Sequence, residues 1–583
     1  NTVLFFGEEG INWYLQVVTV DGHTTGDEKA APLAVTDVYI QVQSRDNEKL
    51  LWEGYSDASG VADFSSSELK GSVNITAAKT GYQAFTLLAV SAAHVCIPLT
   101  LLDPLPGEVE EQRGSVYGSV TGFDGEFGVT PFEDTSYLSG AGNWSMGIVQ
   151  TSLRNVPLSS LSMSSVLAFP PGFTDCEKSL TDCIPPNMVI YDQDSPKMAE
   201  FRLENLVPGE LLVVVLAGQG FDVLDAIQNP YALKFHPSAM GMVKVTVKAG
   251  EEVAVDLPLT LDLTKQKEQD IGVFKVNLGD FPPDPLTGKP FANGLLFPVI
   301  WLEPYGYIWV DVNGTYNFPD FQNPMEVVYP DPQHPLFDGL DPFFLTVGLA
   351  GRHAFLGADP PGFSTLIIRD QDPAEPLDMN SYDKWLHSPR GLLPEPPDPT
   401  TPKKCSEGTV AEPPGACVQA EVAPEEYEHY IPLDRVGGSL GADRKIQWEP
   451  VSQPKFANLY RVRIGYLVSA PKSIFKGYSI GGPDSYGLWN ILGPGDVTSF
   501  TLPVLPEEIY GKEGLLRNRA PNLDDEEAPQ RYAEDTLEVE FNAYHMGELK
   551  PFTYNNNFVF EDINLNSNNV SLDSYPFRIE LEK

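Results

Sequence analysis

Apolar residues recur at every second position in short runs along this chain, and a glycine or proline interrupts each run before a helical repeat can establish itself. Val61 and Asp63 alternate with Ala62 and Phe64, and Val73, Ile75 and Ala77 share one side of the next run. Successive side chains of a strand point to opposite faces, so this period predicts half-buried strands. The 52 prolines and 50 glycines suit many short strands with long connections, since Pro cannot donate to a ladder and Gly supplies tight turns. No extended 3.6-residue stripe with caps at both ends is present. At 583 residues the chain reads as all-β and multidomain, with long Pro/Gly-rich loops.

An apolar arm, NTVLFFGEEG, occupies 1–10. The first unit, 11–103, contains YSDASGVADF and LKGSVNITAAKTGYQAF and closes on VCIPLTLLD. A Pro- and Glu-rich linker leads to a second unit, 114–263, closing on VAVDLPLTLDL. Pro258-Leu259-Thr260-Leu261 echoes Pro98-Leu99-Thr100-Leu101, as expected of tandem related sandwiches. The turn residues Asp57 and Gly60, then Phe64, then Lys79, Gly81 and Tyr82, make the first unit resemble the carboxypeptidase-regulatory-like (transthyretin-like) family. In the second unit DQDSPKMAEFRLENLVPGELLVVVLAG carries a similar pattern. The resemblance implies small Ig-like/transthyretin-like β-sandwiches. A third β-rich unit, 270–440, holds an aromatic strand pair with a turn expected at Asn313-Gly314 and a Pro-rich insertion over 388–427. The fourth, 441–583, alternates Ile446 with Trp448, and Tyr460 with Val462 and Ile464. It resembles a fibronectin type III-like sandwich with Trp448 in its core.

A net charge of −43 excludes nucleic acid, which needs a basic face to displace counterions, and makes an anionic membrane surface an unfavourable docking site. No apolar run approaches the ~18 residues of a transmembrane helix. The chain starts at Asn1, so removal of an N-terminal segment such as an export signal is expected, or a trimmed start. Cys176/Cys183 and Cys405/Cys417 flank short Pro/Gly-rich segments, where a local disulfide would close a loop with little core. Two such pairs favour an oxidising compartment. Cys96, in an alternating run, is expected to be a buried thiol.

Little in the sequence points to catalysis. The histidines (His23, His94, His236, His334, His353, His387, His429 and His545) form neither HExxH nor HxH. No GxSxG elbow, Walker loop or GxGxxG occurs, and a Ser–His–Asp triad would be recognised only in space. Two DQD strings follow apolar runs. The first, Asp192/Asp194, aligns with YSDASGVADF and reads as a turn. The second opens a segment offering Asp370, Asp372, Glu375, Asp378, Asn380 and Asp383, a candidate calcium loop without EF-hand spacing. Calcium is the one cofactor these residues point to. Tyr305, Tyr307 and Trp309 would share a strand face, as a binding platform for glycans or protein if exposed; core or interdomain packing is the favoured reading. Glycosylation sequons stand at Asn74, Asn143, Asn313 and Asn569.

These features predict a non-enzymatic exported protein, extracellular, periplasmic or at the cell surface. Its partners would be other proteins, through self-assembly or a surface complex or fibre. Edge-strand addition or the 1–10 arm would link subunits. The alternatives are an accessory carbohydrate-binding or hydrolase-associated protein and a surface partner of a redox or transport complex.

Overall fold

The computed structural model describes residues 13–21, 34–69, 71–102, 113–122, 144–152, 186–190, 199–220, 234–269, 271–279, 293–310, 312–315, 324–351, 363–369, 377–379, 409–411, 417–419, 438–440, 444–448, 459–469, 473–475, 478–480, 483–510, 536–546 and 569–580. Strands dominate. The first set is β1 (Trp13–Asp21), β2 (Tyr39–Ser44), β3 (Leu50–Tyr55), β4 (Val61–Ser66), β5 (Val73–Ala78), β6 (Ala84–Val90) and β7 (His94–Leu99). The second is β8 (Gly114–Thr121), β9 (Trp144–Thr151), β10 (Met188–Ile190), β11 (Glu200–Leu206), β12 (Gly209–Gly220), β13 (Lys234–Val247) and β14 (Glu252–Pro258). A short β15 (Leu261–Asp262) leads into helix α1 (Leu263–Glu268), which Asp262 caps by accepting from Thr264 N and Lys265 N.

The third set is β16 (Val273–Leu278), β17 (Asn293–Glu303), β18 (Gly306–Trp309), β19 (Val312–Thr315), β20 (Met325–Val328), β21 (Asp341–Gly351), β22 (Phe363–Arg369) and β23 (Leu377–Met379). A small hairpin follows, β24 (Thr409–Ala411) with β25 (Cys417–Gln419). The fourth set is β26 (Gly438–Leu440), β27 (Lys445–Trp448), β28 (Leu459–Ser469), the hairpin β29 (Ser473–Phe475) and β30 (Tyr478–Ile480), β31 (Pro483–Pro494), β32 (Ser499–Thr501), helix α2 (Glu507–Tyr510), β33 (Thr536–Met546) and β34 (Asn569–Glu580).

One topology repeats. In the first three sets the opening strand pairs antiparallel on one side and parallel on the other: β4-β1-β7, β11-β8-β14 and β20-β16-β23. The remaining strands form a second layer in the orders β3-β2-β5-β6, β10-β9-β12-β13 and β19-β17-β21-β22, with β18 also on β17. The fourth set follows the same plan, β31-β28-β33-β34 over β32-β27, with β26 antiparallel where the others place a parallel strand. An immunoglobulin constant domain keeps its second and third strands in different sheets, whereas β28 and β31 are neighbours here. The strand order of the fourth set therefore corrects the fibronectin-type expectation: it matches its three predecessors.

The repeated Pro-Leu-Thr-Leu has one structural role in both places. After β7 the chain crosses to the other layer, where Gln83 N donates to Thr100 O and Leu101 bridges Tyr82. After β14 it crosses likewise, with Thr260 N donating to Met240 O and Leu261 pairing with Met240. At that crossing Gly241 lies against the backbone: a Cβ there would meet Pro258 O at 2.1 Å.

The sets are not separate beads. β6 pairs in parallel with β31, β34 pairs with β22, and β19 pairs with β13. The long layers thus join into one ladder, from β3 through β6, β31, β34, β22, β17, β19 and β13 to β10. Among the described residues no pairing closes it into a ring.

This splicing explains a failed expectation. Val73–Ala77 alternates as a half-buried strand, yet all of β5 is buried. Ile75, Ala77, Phe85 and Leu87 pack with Val17, Phe64, Val95 and Ile97 of the three-stranded sheet. On the opposite face, Tyr39, Ala78, Ala84 and Leu88 join Ile446, Trp448, Val462 and Phe500 of the fourth set. Asn74 and Thr76 are polar positions on a strand covered on both sides. Each finds a partner: Thr76 shares a 2.9 Å hydrogen bond with Thr86, and Asn74 Oδ1 accepts from Ala89 N at 3.0 Å.

One further expectation changes. The hairpin reversal expected at Asn313-Gly314 falls at Pro304-Tyr305, where Tyr305 N donates to Leu302 O at 2.6 Å, and Asn313-Gly314 lies inside β19. Cys96 is buried on β7, as expected.

The joint between β6 and β31 is a buried polar network. Trp489 Nε1 donates to Thr86 Oγ1 at 2.9 Å. Asn490 Nδ2 donates to Gln83 Oε1 at 2.7 Å, and Asn490 Oδ1 accepts from Arg461 Nε and Nη2 at 3.2 and 2.9 Å. Asn542, opposite Arg461 on β33, is fully buried with neither amide atom hydrogen-bonded. These two asparagines should therefore respond oppositely to substitution. Asn490→Ala strips a guanidinium and an amide of their partner and is expected to cost about 3 kcal/mol. Asn542→Leu removes only an unsatisfied group and is expected to be neutral or stabilising by ~1 kcal/mol. Urea unfolding midpoints of the two variants check both signs.

Candidate interaction edge

The ladder has two ends, and they differ. β10 is three residues long, with Met188 and Val189 buried. β3 is longer and its residues alternate between exposed and half-buried. Among the described residues it pairs on one side only, with β2. Ser56 N donates inward to Val38 O at 2.9 Å. Because backbone groups alternate along a strand, Gly54 and Trp52 also turn inward, while the N–H and C=O of Glu53 and Tyr55 face away from β2.

Side chains arrange this edge unevenly. A register shift between Val42 and Gln43 brings Leu50 opposite Gln43, while Glu53 faces Gln41 and Tyr55 faces Tyr39. The bulge therefore puts Leu50, Glu53 and Tyr55 on one face. Trp52 turns to the other face, stacked on Phe64 with centroids 5.6 Å apart, and its indole lies over Gly54, where a Cβ would meet Cζ2 at 2.5 Å. Of the four strongly exposed large apolar residues among those described, two, Leu50 and Tyr55, lie on β3.

Parts of the fourth set pack beside β3. Thr501 N donates to Glu48 Oε1 at 2.8 Å at one end, and Tyr55 Oη donates to Glu508 Oε1 at 3.0 Å at the other. Arg45 pairs with Asp496 at 2.7 Å, Thr80 Oγ1 donates to Ile509 O at 2.8 Å, and Arg444 Nη2 donates to Pro503 O. The edge is thus presented by a braced surface. The one carboxylate of β3, Glu53, accepts from Tyr39 Oη at 2.7 Å, and the Tyr39 and Tyr55 rings meet edge-on at 5.7 Å. Burial, then the Glu53 carboxylate, raises the Tyr39 phenol above its ordinary range. Desolvation and then Glu508 raise Tyr55.

The residues singled out in the sequence lie elsewhere. Tyr305, Tyr307 and Trp309 are 6%, 1% and 3% exposed, so the cluster offers no platform to a sugar. It is the joint between the second and third sets. Phe235 meets Trp309 edge-on at 6.1 Å, Gln150 Nε2 donates to Trp309 O at 2.8 Å, and Lys244, paired with Glu210, sits 5.2 Å over the Tyr305 ring. Tyr305 occupies the turn, not the strand face it was expected to share. Asn74 is buried within β5, which closes that sequon in the folded chain. Asn313 and Asn569 lie on β19 and β34; Asn143 falls outside the described residues. Of the acidic segment only Asp378 is described, exposed on β23; Asp370, Asp372, Glu375, Asn380 and Asp383 lie outside, as do Asp192 and Asp194. Cys417 stands on β25, and Cys176, Cys183 and Cys405 lie outside the described residues. Among the described residues no group of three or more His, Cys, Asp or Glu is arranged to hold a metal, and no helix is long and apolar enough to cross a membrane.

No family model and no curated protein matches the chain. Solved structures give faint likenesses. The shaft pilin SpaA of Lactobacillus rhamnosus GG is 9% identical over 43% of this chain and 98% of its own, with a TM-score of 0.12. The Bacillus anthracis TIE protein is 8% identical over 64% of this chain and 50% of its own, with a TM-score of 0.14. BcpA, the major pilin subunit of Bacillus cereus, is 8% identical over 64% of this chain and 99% of its own, with a TM-score of 0.12. Scores this low establish no shared fold.

The tyrosine–glutamate pairs carry a pH signature. A phenol whose pKa is raised on folding stabilises the native state below its unfolded pKa, and that stability is lost as pH rises beyond it. Melting temperature is expected to fall as pH passes about 10, the ordinary tyrosine value. Tyr39→Phe should flatten that fall without abolishing it, since Tyr55 and Tyr307 are raised as well. Thermal melts across the alkaline range compare the two proteins.

Proposed function

We propose that this chain is an exported protein of the cell surface or extracellular space, with structural or adhesive work as one subunit of a larger assembly. One observation carries the reading: four sandwich sets are spliced by main-chain pairing into a single ladder that ends, among the described residues, on an open, braced strand. Such a body resists being pulled apart, because separating two sets breaks a row of backbone hydrogen bonds and uncovers apolar faces together. An open end offers neighbours the same mode of attachment. The acidic surface expected from the composition keeps such a body soluble before assembly.

Finer assignments belong to this reading. The Asp57 turn, whose Oδ1 accepts from Ser59 N and Val61 N while Gly60 takes φ +71°, supports the carboxypeptidase-regulatory-like assignment of the first set. The sequence spacing supports disulfides Cys176–Cys183 and Cys405–Cys417.

Surface proteolysis of intact native cells, followed by native gel electrophoresis of the released material, tests the main proposal. The chain is expected in the protease-accessible fraction and within a high-mass complex. Recovery only from the cell interior, or turnover in a hydrolase screen, would overturn it. Calcium at Asp370, Asp372, Asp378, Asn380 and Asp383 is tested separately, by titrating Ca²⁺ into chelator-treated protein. Heat and a raised melting temperature are expected, and Asp370→Asn with Asp372→Asn should remove both.

A further inference from the structure

The chain already shows how it makes a joint. Wherever two of its sets meet through the long ladder, strand edge meets strand edge: β6 on β31, β22 on β34, β19 on β13. β3 is an edge of the same layer, in the same structural position as β19 and β31, and both of those are covered. Its outward backbone groups, at Glu53 and Tyr55, are not in any hydrogen bond within the described structure.

Natural edge strands are usually protected by an outstanding lysine, a proline, or a covering loop. Among the described residues β3 has none of these, although a bulge at Leu51 falls on it. Its sequence, Leu50-Leu51-Trp52-Glu53-Gly54-Tyr55, contains no Lys or Pro, and its one charge is tied back to Tyr39 Oη. Two exposed apolar side chains, Leu50 and Tyr55, rise from it.

We propose that β3 is a self-association edge, on which the β3 of a second copy pairs antiparallel about a two-fold axis through Gly54. This rests on the assembly reading above and names the partner. The register follows from which groups point outward. Glu53 of one copy opposes Tyr55 of the other, and each such pair exchanges both its backbone hydrogen bonds. Gly54 faces its own counterpart across the axis as a non-hydrogen-bonded pair. The bare position is also where the Trp52 indole lies. No like charges are opposed: Glu53 meets a tyrosine ring rather than its own copy. The interface is isologous, so it closes at two copies and carries the ladder from one chain into the next. With −43 on each copy, repulsion works against it, so added salt strengthens the pairing.

Light scattering coupled to size exclusion, on the full chain across a concentration series and at rising NaCl, reads the outcome. A concentration-dependent dimer favoured by salt is expected. Glu53→Pro removes an outward N–H while sparing the inward ladder and should weaken the dimer by roughly tenfold or more. Tyr55→Lys, which leaves the backbone intact, should weaken it as well, and circular dichroism confirms that each variant is folded. A monomer at every concentration and salt, or a dimer unmoved by both variants, overturns the proposal. Failure here is separable from failure of the wider reading: a surface complex that persists on cells expressing Glu53→Pro would leave that reading standing with a different contact.

Discussion

Everything in this fold depends on one requirement: a strand edge must find a partner for its backbone groups or give them to water. A single sandwich of this topology leaves edges on its longer layer. The chain meets the requirement internally, by setting the layers side by side so that β6, β31, β34, β22, β19 and β13 each cover another set's edge. Edge pairing brings the sets close enough for their faces to pack, and the faces then supply the apolar burial that a lone sandwich would lack. Tyr39 and Ala84 in the first set and Trp448 and Phe500 in the fourth form one core for this reason.

That order of causes explains what could be read in the sequence. Local chemistry was legible. The Asp57–Gly60 turn, the alternation of Val61 to Phe64 and the core position of Trp448 each depend on a few neighbouring residues, and each is where the residues place it. The Pro-Leu-Thr-Leu echo was legible as a repeat, though not as a change of layer, because the crossing is defined by contacts with Gln83 and Met240 far along the chain. Burial of Asn74 and Thr76 was not legible at all. Alternation reports which face of a strand is more apolar, and a strand covered on both sides with polar groups paired to each other looks half-exposed in one dimension.

The candidate edge was hidden for a related reason. Nothing in LLWEGY distinguishes an end strand from an inner one, and Glu508 joins it from a position more than four hundred residues away. The aromatic cluster misled in the opposite sense. Tyr305, Tyr307 and Trp309 are conspicuous in sequence because the joint between two sets needs large rings with polar tips. Their conspicuousness reflects packing: the rings meet Phe235 and Lys244 across that joint.

The joints also differ in kind, and the difference has a physical rationale. The contact between the second and third sets is largely apolar, built on Phe235 and Trp309. The parallel contact of β6 with β31 instead carries Gln83, Thr86, Trp489, Asn490 and Arg461 in one network. Apolar packing tolerates a shift of register, whereas a buried amide held between a guanidinium and a second amide tolerates none. Parallel pairing between segments some four hundred residues apart has no turn to set its alignment. The polar network supplies that alignment, because any other register leaves Arg461 and Gln83 buried without the asparagine that joins them.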